Sequence, residues 1–143
     1  MSLFTALSVG ASGMSAQRAR AELLVENLAN AETTRTPEGG PYRRKDVVFR
    51  SAGVESPFAS VFSQAQTAGG VEVAAVVTDS REPERRYLPG HPDADADGYV
   101  AFPRVNAAED MVDLMGAARG YQANVAAITA VKDMIQRSLE LMK

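Results

Sequence analysis

Apolar and small residues recur from Leu3 onward at Leu3, Leu7, Gly10, Met14, Gln17, Ala21, Leu24, Leu28 and Ala31, a strict alternation of four and three with one polar member. That spacing predicts an amphipathic helix whose apolar seam is a narrow stripe. The far end repeats the pattern at Met111, Leu114, Ala118, Tyr121, Val125, Ile128, Lys132, Ile135, Leu139 and Met142, which predicts a second long helix. Between them stand all seven prolines of the chain, Pro37, Pro41, Pro57, Pro83, Pro89, Pro92 and Pro103, so no long helix can run there. Short β-branched or aromatic segments bounded by Gly or Pro predict strands over 45–50, 71–79, 86–88 and 99–102. Residues 56–66 read as a short helix or an ordered loop, with Ser56 as cap and Pro57 in the first turn. The expected fold is α+β: a helical segment over 1–34, a β-rich middle domain over 35–106 and a helical segment over 107–143.

Size shapes this picture further. A middle of fewer than about 75 residues is marginal as an independent core. Helices of about 30 residues span roughly 45 Å, more than such a middle can cover. Gly10, Gly13, Gly116 and Gly120 lie inside the two helices, and each costs about 1 kcal/mol relative to Ala. Both stripes therefore need further contact, within the subunit or with a neighbour.

Charged residues make up 23% and apolar residues 45% of the 143, and the net charge is only -3, which points neither to a nucleic-acid partner nor to a disordered chain. With no cysteine, disulfide frameworks, thiolate metal sites and cysteine nucleophiles are excluded together. The first sixteen residues lack a basic leader and an unbroken apolar run, so a cleaved signal peptide is not expected. Nor does any stretch reach the roughly 18 apolar residues of a membrane span.

The segment Asp93-Ala94-Asp95-Ala96-Asp97-Gly98 matches the opening of a calcium-binding loop, with oxygen ligands at alternate positions and then a turn glycine. The twelfth position, which needs a bidentate carboxylate, is Arg104, and Pro89, Pro92 and Pro103 oppose the flanking helices. A solvated acidic turn is the better reading, with a calcium-responsive adaptor as the alternative function. His91, the only histidine, lies in a proline-bounded loop without a second ligand or nucleophile, so no catalytic role is expected and no cofactor. Arg43, Arg44 and Lys45, and Arg81, Arg85 and Arg86, are interleaved with Asp46, Glu82 and Glu84. They read as salt-bridged surface rather than as a nucleic-acid patch.

Two kinds of block carry a resemblance. Asn27-Leu28-Ala29-Asn30-Ala31-Glu32-Thr33-Thr34-Arg35-Thr36 resembles the segment that ends the first helix in the flagellar rod and hook axial-protein family. Glu109-Asp110-Met111-Val112-Asp113-Leu114-Met115, with Ala118-Arg119 and Tyr121-Gln122-Ala123-Asn124, is similar to that family's last helix. The blocks 37–45, 87–95 and 98–100 resemble its proximal-rod members, from which Arg104 departs where an asparagine is usual. The resemblance implies a non-enzymatic structural subunit, exported uncleaved and assembled in the periplasmic basal body. Its implied partners are copies of itself, other proximal and distal rod proteins, a ring-to-rod adaptor, and the export apparatus with the inner-membrane ring. Both chain ends are then expected at one end of the subunit, which makes the two helices an antiparallel coiled coil. Seam spacing suggests a register in which paired residue numbers sum to about 145, placing Leu24 opposite Tyr121, Gln17 near Ile128 and Lys132 beside Gly13. The assembly interface is expected on Leu3, Leu7, Met14, Leu24, Asn27, Leu28 and Asn30 of the first helix. On the second it is expected on Leu114, Ala118, Tyr121, Val125, Ile128, Ile135 and Leu139.

Overall fold

A computed structural model describes residues 3–52 and 69–141. The proposed helix or loop over 56–66 and the last seam position, Met142, lie outside the described residues. Helix α1 runs Leu3–Ala29, followed by strands β1 Lys45–Ala52, β2 Gly70–Thr78, β3 Glu84–Tyr87 and β4 Tyr99–Phe102, and then helix α2 Ala107–Glu140. The fold is α+β as expected, with two long terminal helices around an antiparallel β middle, and all four predicted strands are present within two residues of their predicted ends.

The described residues of the middle form two hairpins: β1 pairs antiparallel with β2, and β3 with β4. No strand of the first pairs with a strand of the second. The β1–β2 hairpin packs against α1 rather than beyond its end. Two polar contacts hold it at opposite corners: Val71 N–H donates to Ser12 Oγ at 3.1 Å, and Asn27 is bonded to the backbone of Lys45. The fifteen helical steps from residue 12 to residue 27 span about 22 Å, close to the length of an eight-residue strand, so helix and hairpin lie side by side. A register shift between Val48 and Phe49 leaves Ala74 as the extra residue of a bulge on β2.

Each helix is capped at one end by an asparagine. Asn106 caps α2, its side-chain oxygen accepting from the backbone N–H of Ala108 and Glu109, with Glu109 and Asp110 adding negative charge to the first turn. Asn30 ends α1 by donating from Nδ2 to Glu26 O at 2.9 Å and accepting from Thr33 Oγ1 at 3.1 Å. No described non-glycine residue has positive φ; the Asn30 side chain closes the helix together with the backbone N–H groups of Asn30 and Ala31, which donate to Asn27 O and Leu28 O.

The helices run antiparallel, but not in the expected register. An added Cβ on Gly10 would meet Ile128, one on Gly13 would meet Asn124, and one on Gly120 would meet Gln17. These pairs sum to about 137, a slip of two helical turns from 145. Gln17 therefore faces Gly120 instead of Ile128, and Gly13 receives Asn124 instead of Lys132. The reason is steric. A 3-4 stripe fits almost equally well after a slide of seven residues, the eighth comes from the one-position move of the α2 stripe, and what selects among the choices is the seating of long side chains in the grooves left by glycines.

Candidate assembly interface

Asn27 sits at the junction of helix and hairpin and is completely buried. Its Nδ2 donates to Lys45 O at 2.8 Å, and its Oδ1 accepts from Lys45 N–H at 2.9 Å and from the Tyr42 hydroxyl at 2.9 Å. A side-chain amide here replaces the missing neighbour strand, reading both backbone groups of the first β1 residue. The Tyr42 phenol is pushed up to about 12, chiefly by burial and then by the nearby charge of Glu26. Lys45 Nζ contacts Glu26 at 2.6 Å on the more exposed side of the same junction.

A second tie joins the hairpin to α2. Asp110 is buried in the first turn of α2, and Arg44 Nη2 lies 2.9 Å from its Oδ1. Neither carboxylate oxygen receives a well-directed hydrogen bond, nor does Arg44 Nε donate one. Burial holds the Asp110 carboxyl above the usual carboxylate range, outweighing the pull of Arg44. A third, more exposed pair, Arg20 with Asp113 at 3.3 Å, bridges α1 and α2 over a cleft floored by Leu23, Leu24, Val47 and Phe49.

Below this charged junction the helix pair is electrically blank. Residues 3–17 of α1 and 120–131 of α2 contain no Asp, Glu, Lys or Arg. In the observed register these two stretches lie against each other. The contact is thin: Gly10, Ala16, Leu24 and Asn27 are the buried residues of α1, and Asp110 and Ala117 those of α2.

The expected interface residues divide accordingly. Leu24 and Asn27 are buried inside the subunit, and Asn30 caps its own helix. Leu7, Met14, Leu28, Leu114, Ile128 and Ile135 are half-buried, while Leu3, Ala118, Tyr121, Val125 and Leu139 are exposed. On α2 the stripe that meets α1 runs Ala117, Gly120, Asn124, Ile128, Val131, Ile135, about one position away from the predicted seam over much of its length. Sequence reading missed it because a glycine and an asparagine interrupt it. The displaced members form part of a second, outward face with Met111 and Met115. On α1, Phe4 is 79% exposed.

The acidic loop is organised by its own backbone. Asp95 Oδ1 accepts from the N–H of Asp97 and Tyr99, while Asp93 accepts from Thr34 Oγ1 and faces Arg35. The carboxylates thus serve a turn and a tether to the end of α1, and no group of three or more potential metal-ligating side chains converges among the described residues. His91 Nδ1 accepts from Asp93 N–H, and its ring meets Phe102 edge-on. No described helix is long and apolar enough to cross a membrane.

Comparison with known proteins gives a consistent answer. Residues 96–141 match the family described as flagellar basal body rod FlgEFG protein C-terminal. The chain is 41% identical to the flagellar basal-body rod protein FlgC of Bacillus subtilis, with 100% of both chains covered. It is 40% identical to FlgC of Salmonella typhimurium over 99% of this chain and 98% of that one. To FlgC of Borreliella burgdorferi it is 36% identical, over 100% and 99% respectively.

Proposed function

The chain belongs to the FlgC family of flagellar basal-body rod proteins, and from that premise we propose that it works by packing its two terminal helices against neighbours in a helical tube. It is a structural subunit of the flagellar basal-body rod. In this reading it sits in the proximal rod, on the periplasmic side, and arrives by export without cleavage of a signal peptide. It passes torque outward through contacts with its own copies and with other proximal and distal rod proteins. The ring-to-rod adaptor and the export apparatus within the inner-membrane ring are its inner neighbours. The terminal segments 1–34 and 107–143 act together as the assembling domain, and 35–106 is the outer β-rich part. No chemistry is required of it.

The observation that carries this reading is the outward apolar face of α2. Met111, Met115, Ala118 and Val125 recur at helical spacing and are all exposed, although the neighbouring stripe already serves the intrachain pair. A helix apolar on two faces is built to be enclosed. Leu3, Tyr121 and Leu139 extend the exposed apolar surface. Leu24 does not, since it is buried within the subunit. The test is Val125→Asp and Met115→Asp in cells lacking the native chain. Expected are absent rods and no swimming, with near-native circular dichroism of the purified subunit. Normal rods would overturn the reading.

A further inference from the structure

β2 differs from the other described strands. From Val73 to Thr78 it runs six residues without a charge or a proline, and all six are exposed, Val76 by 50%. One edge pairs with β1, and among the described residues no third strand covers the other. The hairpin is not loose, because Ser12 holds it at Val71 and Asn27 at Lys45, the opposite corner. A fixed, uncharged, β-branched edge offers its backbone donors and acceptors to another strand, and it lacks the lysine or proline that usually blunts such an edge. Among the described residues the bulge at Ala74 is the one blunting device.

We propose that the free edge of β2 over Val73–Thr78 pairs antiparallel with the same edge of a second copy of this chain. Charge selects the occupant. A strand laid along this edge has valines beside it on both faces, so it must itself be extended and uncharged. β1 carries Lys45, Asp46 and Arg50, β3 carries Glu84, Arg85 and Arg86, and β4 is four residues long. β2 alone among the described strands meets the requirement at sufficient length. With a two-fold axis between Ala74 and Val77, valines and alanines of one copy meet those of the other. Glu72 and Asp79 of the two copies then face each other at each end of the ladder, where each acid is already paired within its own chain, Glu72 with Arg50 and Asp79 with Arg81, so their repulsion is offset.

A two-fold contact closes on itself, whereas a helical polymer needs head-to-tail contacts. The pairing therefore belongs to the free subunit, a consequence that rests on the helical-tube reading above. A ladder of six residues buries less than the roughly 1,200 Å² of a stable interface. The dimer is a weak one that opens on dilution.

Sedimentation equilibrium of the full chain from about 5 to 500 µM, the range for so small a contact, tests the proposal. Expected is a monomer passing to a dimer. Val76→Lys, which opposes like charges near the two-fold axis, should weaken that dimer by about tenfold or more with unchanged circular dichroism. The chain has no cysteine, so single cysteines placed in turn at Ala74, Ala75, Val76 and Val77 give a second readout, and at least one should form a disulfide-linked dimer on mild oxidation. A monomer throughout the range with no cross-linked species, or a dimer indifferent to Val76→Lys, overturns the proposal. Loss of rods in Val76→Lys cells, with the purified variant folded, overturns it too, since the edge would then belong to a rod neighbour. The rod reading stands or falls separately, on Val125→Asp and Met115→Asp.

Discussion

Replacing Asn27 with alanine removes three hydrogen bonds from a site with no access to solvent: Nδ2 to Lys45 O, and Lys45 N–H and the Tyr42 hydroxyl to Oδ1. Each intact bond contributes about 1 kcal/mol net, and a buried group left unpaired costs about 1–3 kcal/mol. The Tyr42 hydroxyl is buried, but the Lys45 backbone is only half-buried and can recruit water. The expected loss is therefore about 3 kcal/mol rather than the sum of three full penalties. For an m-value of about 1–3 kcal/mol/M, that lowers the urea midpoint by roughly 1–3 M. Tyr42→Phe, which deletes one of the three bonds, should cost about 1 kcal/mol. The double variant should cost less than the two singles together, because both remove the same bond. Equilibrium urea unfolding followed by circular dichroism measures all three. A midpoint shift for Asn27→Ala no larger than that of Tyr42→Phe would show that the amide does not hold the hairpin to the helix.

Tyr42 also predicts an alkaline limit. Its phenol ionises near 10 when unfolded but at about 12 in the fold, so the native state holds the proton more tightly, and this contribution is complete below pH 10 and lost as pH rises from 10 to 12. Unfolding midpoints across that range check it, and a Tyr42 that ionises near 10 in the folded chain refutes it. Arg44→Met strands the buried Asp110 carboxylate and should cost about 3 kcal/mol. Because burial already favours the protonated acid, the loss should be larger at pH 7 than at pH 4, and an equal loss at both would deny the ionic role. Gly13→Leu drives a side chain into Asn124, whose Oδ1 lies 2.8 Å from the Cβ position, and should cost about 1–3 kcal/mol. Gly116→Ala meets nothing within 4 Å and should stabilise the free subunit by about 1 kcal/mol, as thermal unfolding of both variants would show. Cysteines at 13 and 124 should cross-link within the subunit, whereas the pair at 7 and 138, suggested by heptad spacing alone, should not.

The architecture was legible where the signal was local. Prolines confined to the middle marked it off from the helices, and β-branched runs between Gly and Pro placed the strands. The segment Asn27 to Thr36 resembles one that ends a helix, and within it Asn30 acts through Nδ2 on the Glu26 carbonyl. The register was illegible because the 3-4 pattern is nearly blind to a slide of seven, and the choice depends on which side chain enters the hollow at Gly10, Gly13 or Gly120. The inward stripe of α2 escaped for a related reason. Its members Gly120 and Asn124 carry no hydrophobic signal, yet they allow the closest approach. Asn27 was marked for an interface with neighbours, and its actual partners, 15 and 18 residues downstream, become evident only once the chain has folded back on itself.

The blank stretch of the helix pair divides the subunit by its response to salt. At the junction end, Arg20–Asp113, Lys45–Glu26 and Arg18–Glu22 are partly or largely exposed ion pairs that weaken as ionic strength rises. Beyond it, the facing stretches 3–17 and 120–131 offer nothing for an electrolyte to screen before α2 closes on Lys132, Asp133, Arg137 and Glu140, and salting-out ions tighten apolar contacts of that kind. Raising salt therefore loosens the junction while leaving the blank stretch intact or firmer. A tube built around the blank stretch would keep its cohesion across changes in surrounding ionic composition that the outer, charged part of each subunit would register.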